Sequence, residues 1–282
     1  MTTKRLAWFA LVALAAGSLL LGGASTVHAG GQFAVTDGGT AAYSYPIAVP
    51  PGIAGMAPKL SLSYSGNGIN GPVGFGWSVQ GLSAITRCPA TIATDGAKRG
   101  VSFGPTDKLC LDGQRLIQTD ANDTPLGTQT DDARGLATGS REYRTEKDTY
   151  ARIRAYGIAN GADTNGPAYF KVWTKSGQIY EYGAGPSADP NTQALINAQG
   201  KSVAAVWAVA RISDTLGNYI DFKYEQRDVT WGSGPTAAGA PGHEWNISEI
   251  QYTGSAGQLP SNKIVFSYED REHRQRSGRC PR

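Results

Sequence analysis

The residues best suited to acid–base or metal chemistry are few and far apart. Beyond residue 29 the chain carries two histidines, His243 and His273, and three cysteines, Cys88, Cys110 and Cys280. Neither histidine lies at metal-ligand spacing from another His or Cys, so a zinc site has little to build on. His243-Glu244 lacks the second histidine of a zinc-protease helix and sits among Pro and Gly. The Gly66–Gly76 run, GNGINGPVGFG, lies within strand patterns and not between a strand and a helix, where a dinucleotide loop belongs. Asp120-Asn122-Asp123 and Asp163-Asn165 are acidic turns of a kind that can bind calcium, but such turns are usually only solvated. No catalytic, cofactor-binding or metal-binding residue is assigned, and no cofactor is expected.

Two constellations remain. SREYRTEKD, residues 140–148, is the densest charge cluster. On a strand Glu142, Arg144 and Glu146 face one way, which predicts a cross-strand salt-bridge ladder in preference to a catalytic carboxylate pair. Trp173, Trp207, Trp231 and Trp245 suit sugar stacking, yet in an all-β chain such residues more often fill cores or interfaces.

The elements that position these residues are strands. Of 282 residues 40% are hydrophobic, 17% are charged and 37 are glycine, too little charge for a disordered chain. Tyr43, Tyr45, Ile47 and Val49 alternate with small residues, as do Leu60, Leu62 and Tyr64, and Val73, Phe75, Trp77 and Val79. Each reads as a strand with one bulky and one nearly bare face, where glycine permits bends and close approach. YFKVWTKSGQIYEYG and VWAVARISDTLGNYIDFKYE read as hairpins turning at Lys175–Gln178 and Asp214–Asn218, with Gly177 and Gly217 at equivalent places. Strands follow around NISEIQYTG and NKIVFSYED. Two polar stretches, 119–139 and 228–243, are expected as loops. AQGKSVAAVWAVARI has room for one short helical turn.

At the front, Lys4 and Arg5 precede an apolar run that ends in Val27-His28-Ala29, the pattern of a cleavable signal peptide over residues 1–29. Export, extracellular or periplasmic, is therefore expected, with no stable membrane insertion after cleavage. Lys4, Arg5, Arg274, Arg276, Arg279 and Arg282 lie in the signal and the tail; setting them aside leaves 20 basic residues against 23 acidic ones, and no nucleic-acid footprint. In an oxidising compartment Cys88 and Cys110 are candidates for a disulfide contributing about 3 kcal/mol, with two buried free thiols as the alternative. Cys280 is left over.

The block FAVTDGGTAAYSYPIAVPPGIAGMAPKLSLSYSGNGINGPVGFGWSVQGLSAITRC, followed by TDKLCLDGQRLI, EYRTE, FKVWTKSGQIYEYG and SYEDR, resembles the N-terminal module of the Salmonella virulence plasmid B family. The same module opens the B components of insecticidal toxin complexes and many RHS-repeat proteins. DTLGNYIDFKY resembles an RHS-type hairpin. The resemblance implies an all-β module, over residues 30–270, of Gly-rich curved antiparallel sheets and hairpins contributing to an RHS-type shell around a toxic C-terminal domain. Its partners would be the remainder of a toxin-complex polypeptide or other toxin components. The Glu-x-Glu pair of the family's ADP-ribosyltransferase domain is absent, which implies a non-enzymatic scaffold. A secreted β-sheet module that binds glycans or a surface partner is the alternative. The Arg-rich tail, residues 271–282, is expected to mark a truncation or frameshift.

Overall fold

A computed structural model describes residues 30–120, 133, 135–231 and 240–269. The expected signal peptide, the Arg-rich tail with Cys280 and His273, and most of the 119–139 stretch lie outside the described residues. Among the described residues eighteen strands carry the fold. The first six are β1 (Gln32–Val35), β2 (Ala41–Ile47), β3 (Leu60–Ser65), β4 (Asn70–Gly71), β5 (Gly74–Phe75) and β6 (Trp77–Gln80). The next six are β7 (Ala84–Cys88), β8 (Lys108–Leu111), β9 (Gln114–Thr119), β10 (Ser140–Thr145), β11 (Arg152–Tyr156) and β12 (Tyr169–Trp173). The last six are β13 (Ile179–Gly183), β14 (Leu195–Asn197), β15 (Ala204–Ser213), β16 (Tyr219–Trp231), β17 (Ala240–Gly254) and β18 (Asn262–Val265).

The first sheet runs β1-β2-β3-β6, antiparallel throughout. Its register sets Phe33, Tyr43, Tyr64 and Trp77 in one cross-strand row and Tyr45, Leu62 and Val79 in the next. Ser44, Ser63 and Ser78 line the opposite face. The bulky and bare faces read from alternation are thus real. The run from Val73 to Val79, however, is not one strand. It breaks between β5 and β6 at Gly76, which sits at φ +78° with its backbone so close to Tyr64 and Ser65 that a Cβ would lie 2.7 Å from each. Only glycine fits there.

The second sheet closes on itself. Strands β7 to β13 pair in sequence order, and β15 joins β13 along one part of its length and β7 along another. An antiparallel barrel of eight strands results, with β16, β17 and β18 extending outward from β15. Alternation sends Ile85, Leu109, Tyr143, Ile153, Phe170, Tyr182 and Trp207 inward, and all are buried. The stretch given room for a helical turn is β15 instead, because Trp207 and Val209 fill the barrel. The loop expected over 228–243 is strand at both ends: β16 and β17 stay paired from Tyr219 through Asp228↔His243 to Trp231↔Ala240. Apolar alternation fades in that hairpin, but backbone pairing does not.

Both expected hairpin turns are present, joining β12 to β13 and β15 to β16. Thr174 N bonds Gln178 O at 2.9 Å, and Asp214 N bonds Asn218 O at 3.0 Å. Gly177 and Gly217 take matching left-handed φ of +82° and +86°.

Candidate functional site

The barrel has a sealed end and an open end. At the sealed end Arg87 projects inward from β7 and is 8% exposed. Its guanidinium donates to the carbonyls of Ala204 (2.7 Å), Gly104 (2.9 Å) and Asn165 (3.3 Å) and lies 3.5 Å from Asp107 Oδ2. Asp107 in turn accepts from Ser102 N and Oγ and from Gly104 N. Trp207 lies under the guanidinium at 5.8 Å and donates from Nε1 to Pro167 O at 2.7 Å. A buried charge is tolerated only when so fully bonded, and here the bonds tie the start of β15, the loop at Gly104 and the 3-10 turn at Asn165 across the barrel floor.

Gly100-Val101-Ser102-Phe103-Gly104 spells the G-x-S-x-G of a hydrolase nucleophile elbow, a match that the expectation of no catalytic residue passed over. The structure removes the elbow's context. Ser102 Oγ is bonded to Asp107 at 2.8 Å, and the segment leads into β8, not into a helix.

At the open end lies a cavity of about 690 Å³, within the range of small-molecule sites. Its lining includes the half-buried Leu82, Leu111 and Ile212 and the buried Val172, Val209, Ile220 and Phe222, and the segment from Gly55 to Lys59 borders it. Tyr182 Oη, Ser83 Oγ and Asp112 converge at one side: Ser83 donates to Asp112 Oδ2 at 2.7 Å and stands 2.8 Å from the Tyr182 hydroxyl. Asp112 also accepts from Ala84 N at 2.9 Å. Burial pushes the Tyr182 phenol far up, so it stays protonated. Asp112 and Gly113, both at positive φ, form the tight turn between β8 and β9 that aims this carboxylate. The Asp-Gly dipeptide was the signal that could have found it.

Outside, a belt of charge crosses six strands in register: Glu142, Arg154, Lys171, Glu181, Arg211 and Asp221. Glu142 accepts from Arg144 (3.1 Å), Arg152 (3.1 Å) and Arg154 (2.9 Å). Burial works to raise the Glu142 carboxyl, but hydrogen bonds from Arg152, Arg154 and Arg144 outweigh it and hold the group below its ordinary range. Lys171 meets Glu181 at 3.0 Å, and Arg211 grips Asp221 at 2.6 and 2.7 Å. The predicted ladder therefore exists, with one correction: Glu146 lies past the end of β10 and takes no place in it.

Cys88 and Cys110 form a disulfide joining β7 to β8, with Cα atoms 5.9 Å apart. The tryptophans do not converge. Trp207 is fully buried, Trp173 is half-buried, and Trp245 is 37% exposed beside Tyr224. The Trp231 side chain is outside the described residues. Asp163–Asn165 is a short 3-10 turn with Asn165 buried. His243 is held between Asp228 Oδ1 (2.8 Å) and Gln226 Oε1 (3.1 Å). Among the described residues no three His, Cys, Asp or Glu side chains gather as metal ligands, and no helix is long and apolar enough to cross a membrane.

Comparison with solved structures finds the same fold in toxin-complex proteins. The TcdB2-TccC3-TEV crystal structure matches 90% of this chain and 12% of its own, at 22% identity and TM-score 0.59. The Photorhabdus luminescens Tc holotoxin pore matches 79% of this chain and 10% of its own, at 20% identity and TM-score 0.52. In sequence, 179 residues are 28% identical to the mono(ADP-ribosyl)transferase SpvB of Salmonella typhimurium and of Salmonella dublin. This alignment takes in 60% of the chain and spans 27% of those relatives. The model of the Salmonella virulence plasmid 65kDa B protein family matches residues 35–238, most of the described fold, and the chain belongs to that family.

Proposed function

We propose that this chain is a non-enzymatic structural module of a secreted virulence protein, contributing a wall segment to a larger β-shell of the toxin-complex type. The observation that carries this reading is the pairing of a closed barrel with a sheet whose bulky face is left half-covered. Phe33 and Val35 on β1 are 68% and 62% exposed, and Tyr45 beside them is 44% exposed. Such a face is stable when another layer lies over it. The toxin-complex structures that share the fold devote about a tenth of their chains to it, leaving ample further polypeptide to supply that layer. The domain assignment, with export through residues 1–29 and a β module over residues 30–270, belongs to the same proposal.

A photo-crosslinking amino acid at Phe33, in the cells that make this protein, tests the reading. Crosslinks to a β-repeat toxin polypeptide, in cis or in trans, are expected. Crosslinks confined to glycans or to unrelated host surface proteins would overturn it in favour of a binding module. Incubation with labelled NAD and actin is expected to transfer no ADP-ribose.

A further inference from the structure

The hydrogen-bond directions at the open end of the barrel restrict what can enter. The single proton of Ser83 Oγ points to the Asp112 carboxylate, which can only accept. Tyr182 must therefore donate to Ser83. Both protons run toward the carboxylate, so the cluster turns lone pairs, and no hydroxyl donor, toward the cavity. Thr174 Oγ1 is likewise committed, donating to Gln178 O at 2.9 Å while accepting from Gln178 N. Asp112 is the one acidic residue among the described lining, and it has no ion-pair partner there. The rings of Tyr180 and Tyr182 stack at 6.2 Å beside it.

We propose that the barrel mouth is a binding site for a small amphiphilic amine. The ammonium donates to Asp112 and Ser83, the accessible end of the Tyr182–Ser83–Asp112 cluster, and the apolar body lies against the half-buried Leu82, Leu111 and Ile212. An ammonium carries only donors and so complements an acceptor-only cluster. A carboxylate would meet the Asp112 charge and the lone pairs of Ser83, with no donor in that cluster to bond it. Lys59, the one cation in the described lining, stands at the mouth as a like charge that weakens binding without preventing it.

Three isosteric probes, 2-phenylethylamine, 2-phenylethanol and phenylacetate, titrated into the full chain at neutral pH and followed by calorimetry or amide chemical shifts, test this. The amine is expected to saturate, the alcohol to bind at least tenfold more weakly, and phenylacetate not to bind. Asp112→Asn should weaken the amine about tenfold and leave the alcohol unchanged. Lys59→Gln, on an exposed side chain outside the cluster, should tighten the amine severalfold and decides the matter if Asp112→Asn does not fold. Equal binding of amine and phenylacetate, amine binding that survives Asp112→Asn, no response to Lys59→Gln, or no saturable binding of the amine at millimolar concentration would each overturn the proposal. None of these outcomes bears on the shell role, which rests on the exposed bulky face of β1 and β2.

Discussion

The barrel and the N-terminal sheet are written in the same alternation and end in opposite states. In the barrel Ile153 and Phe170 are 0% exposed, whereas Phe33 at the same kind of position on β1 is 68% exposed. The difference is closure. A barrel has no edge and its inner face covers itself, while a four-stranded sheet has two edges and must borrow a cover. Binary patterning specifies which face is bulky. It does not specify what that face meets.

This contrast can be broken first at the barrel floor. Arg87→Ala removes the cation that Asp107 faces and the donor of three backbone carbonyls in a buried site, and should cost roughly 3–5 kcal/mol in urea unfolding. Tyr43→Ala in the sheet, where the ring is only half-buried, should cost about 1–2 kcal/mol, below the value for a fully buried aromatic. Equal costs would mean that the sheet is as firmly packed as the barrel. The Cys88→Ser, Cys110→Ser double variant should lose about 3 kcal/mol, by the loop-closure estimate for its 22-residue separation. Thermal melts with and without reductant would show it as a shift of the wild type toward the variant.

Smaller effects sharpen the comparison. The folded Glu142 carboxyl lies below its unfolded value, so its contribution is complete above the unfolded range and is lost as pH falls through the folded range. Glu142→Gln should therefore lower stability near neutral pH and flatten the acid limb of a stability profile. A parallel downward shift at every pH would assign its role to packing. The least change in stability is expected from Phe33→Ser on exposed β1, under about 0.5 kcal/mol. Its effect should appear in light scattering, as reduced self-association of the isolated chain. Unchanged scattering would place any sticky surface elsewhere.

Much of this was legible. The alternations of Leu60–Tyr64 and Tyr43–Ile47, the turns at Gly177 and Gly217, and the charge ladder at Glu142 are local, and local patterns survive into the fold. Closure was not legible, because the contact of β7 with β15 sets Thr86 opposite Val206 and no short-range pattern reports it. The cavity depends on that seam, since Ser83 precedes β7 while Tyr182 lies on β13. Arg87 looked like an ordinary strand residue because its partners, at Gly104, Asn165 and Ala204, are far from it in sequence.

That same seam sets a clock. The β7–β8 pair can form as soon as its own short stretch is available, and the disulfide can hold it. The barrel has to wait for a strand more than a hundred residues downstream, and distant β pairings are slow to find each other. Until they meet, Trp207 and Tyr182 face solvent on an open sheet, a state prone to pairing with other chains. The interval between making β7 and capturing β15 is when this protein is most exposed to misassembly.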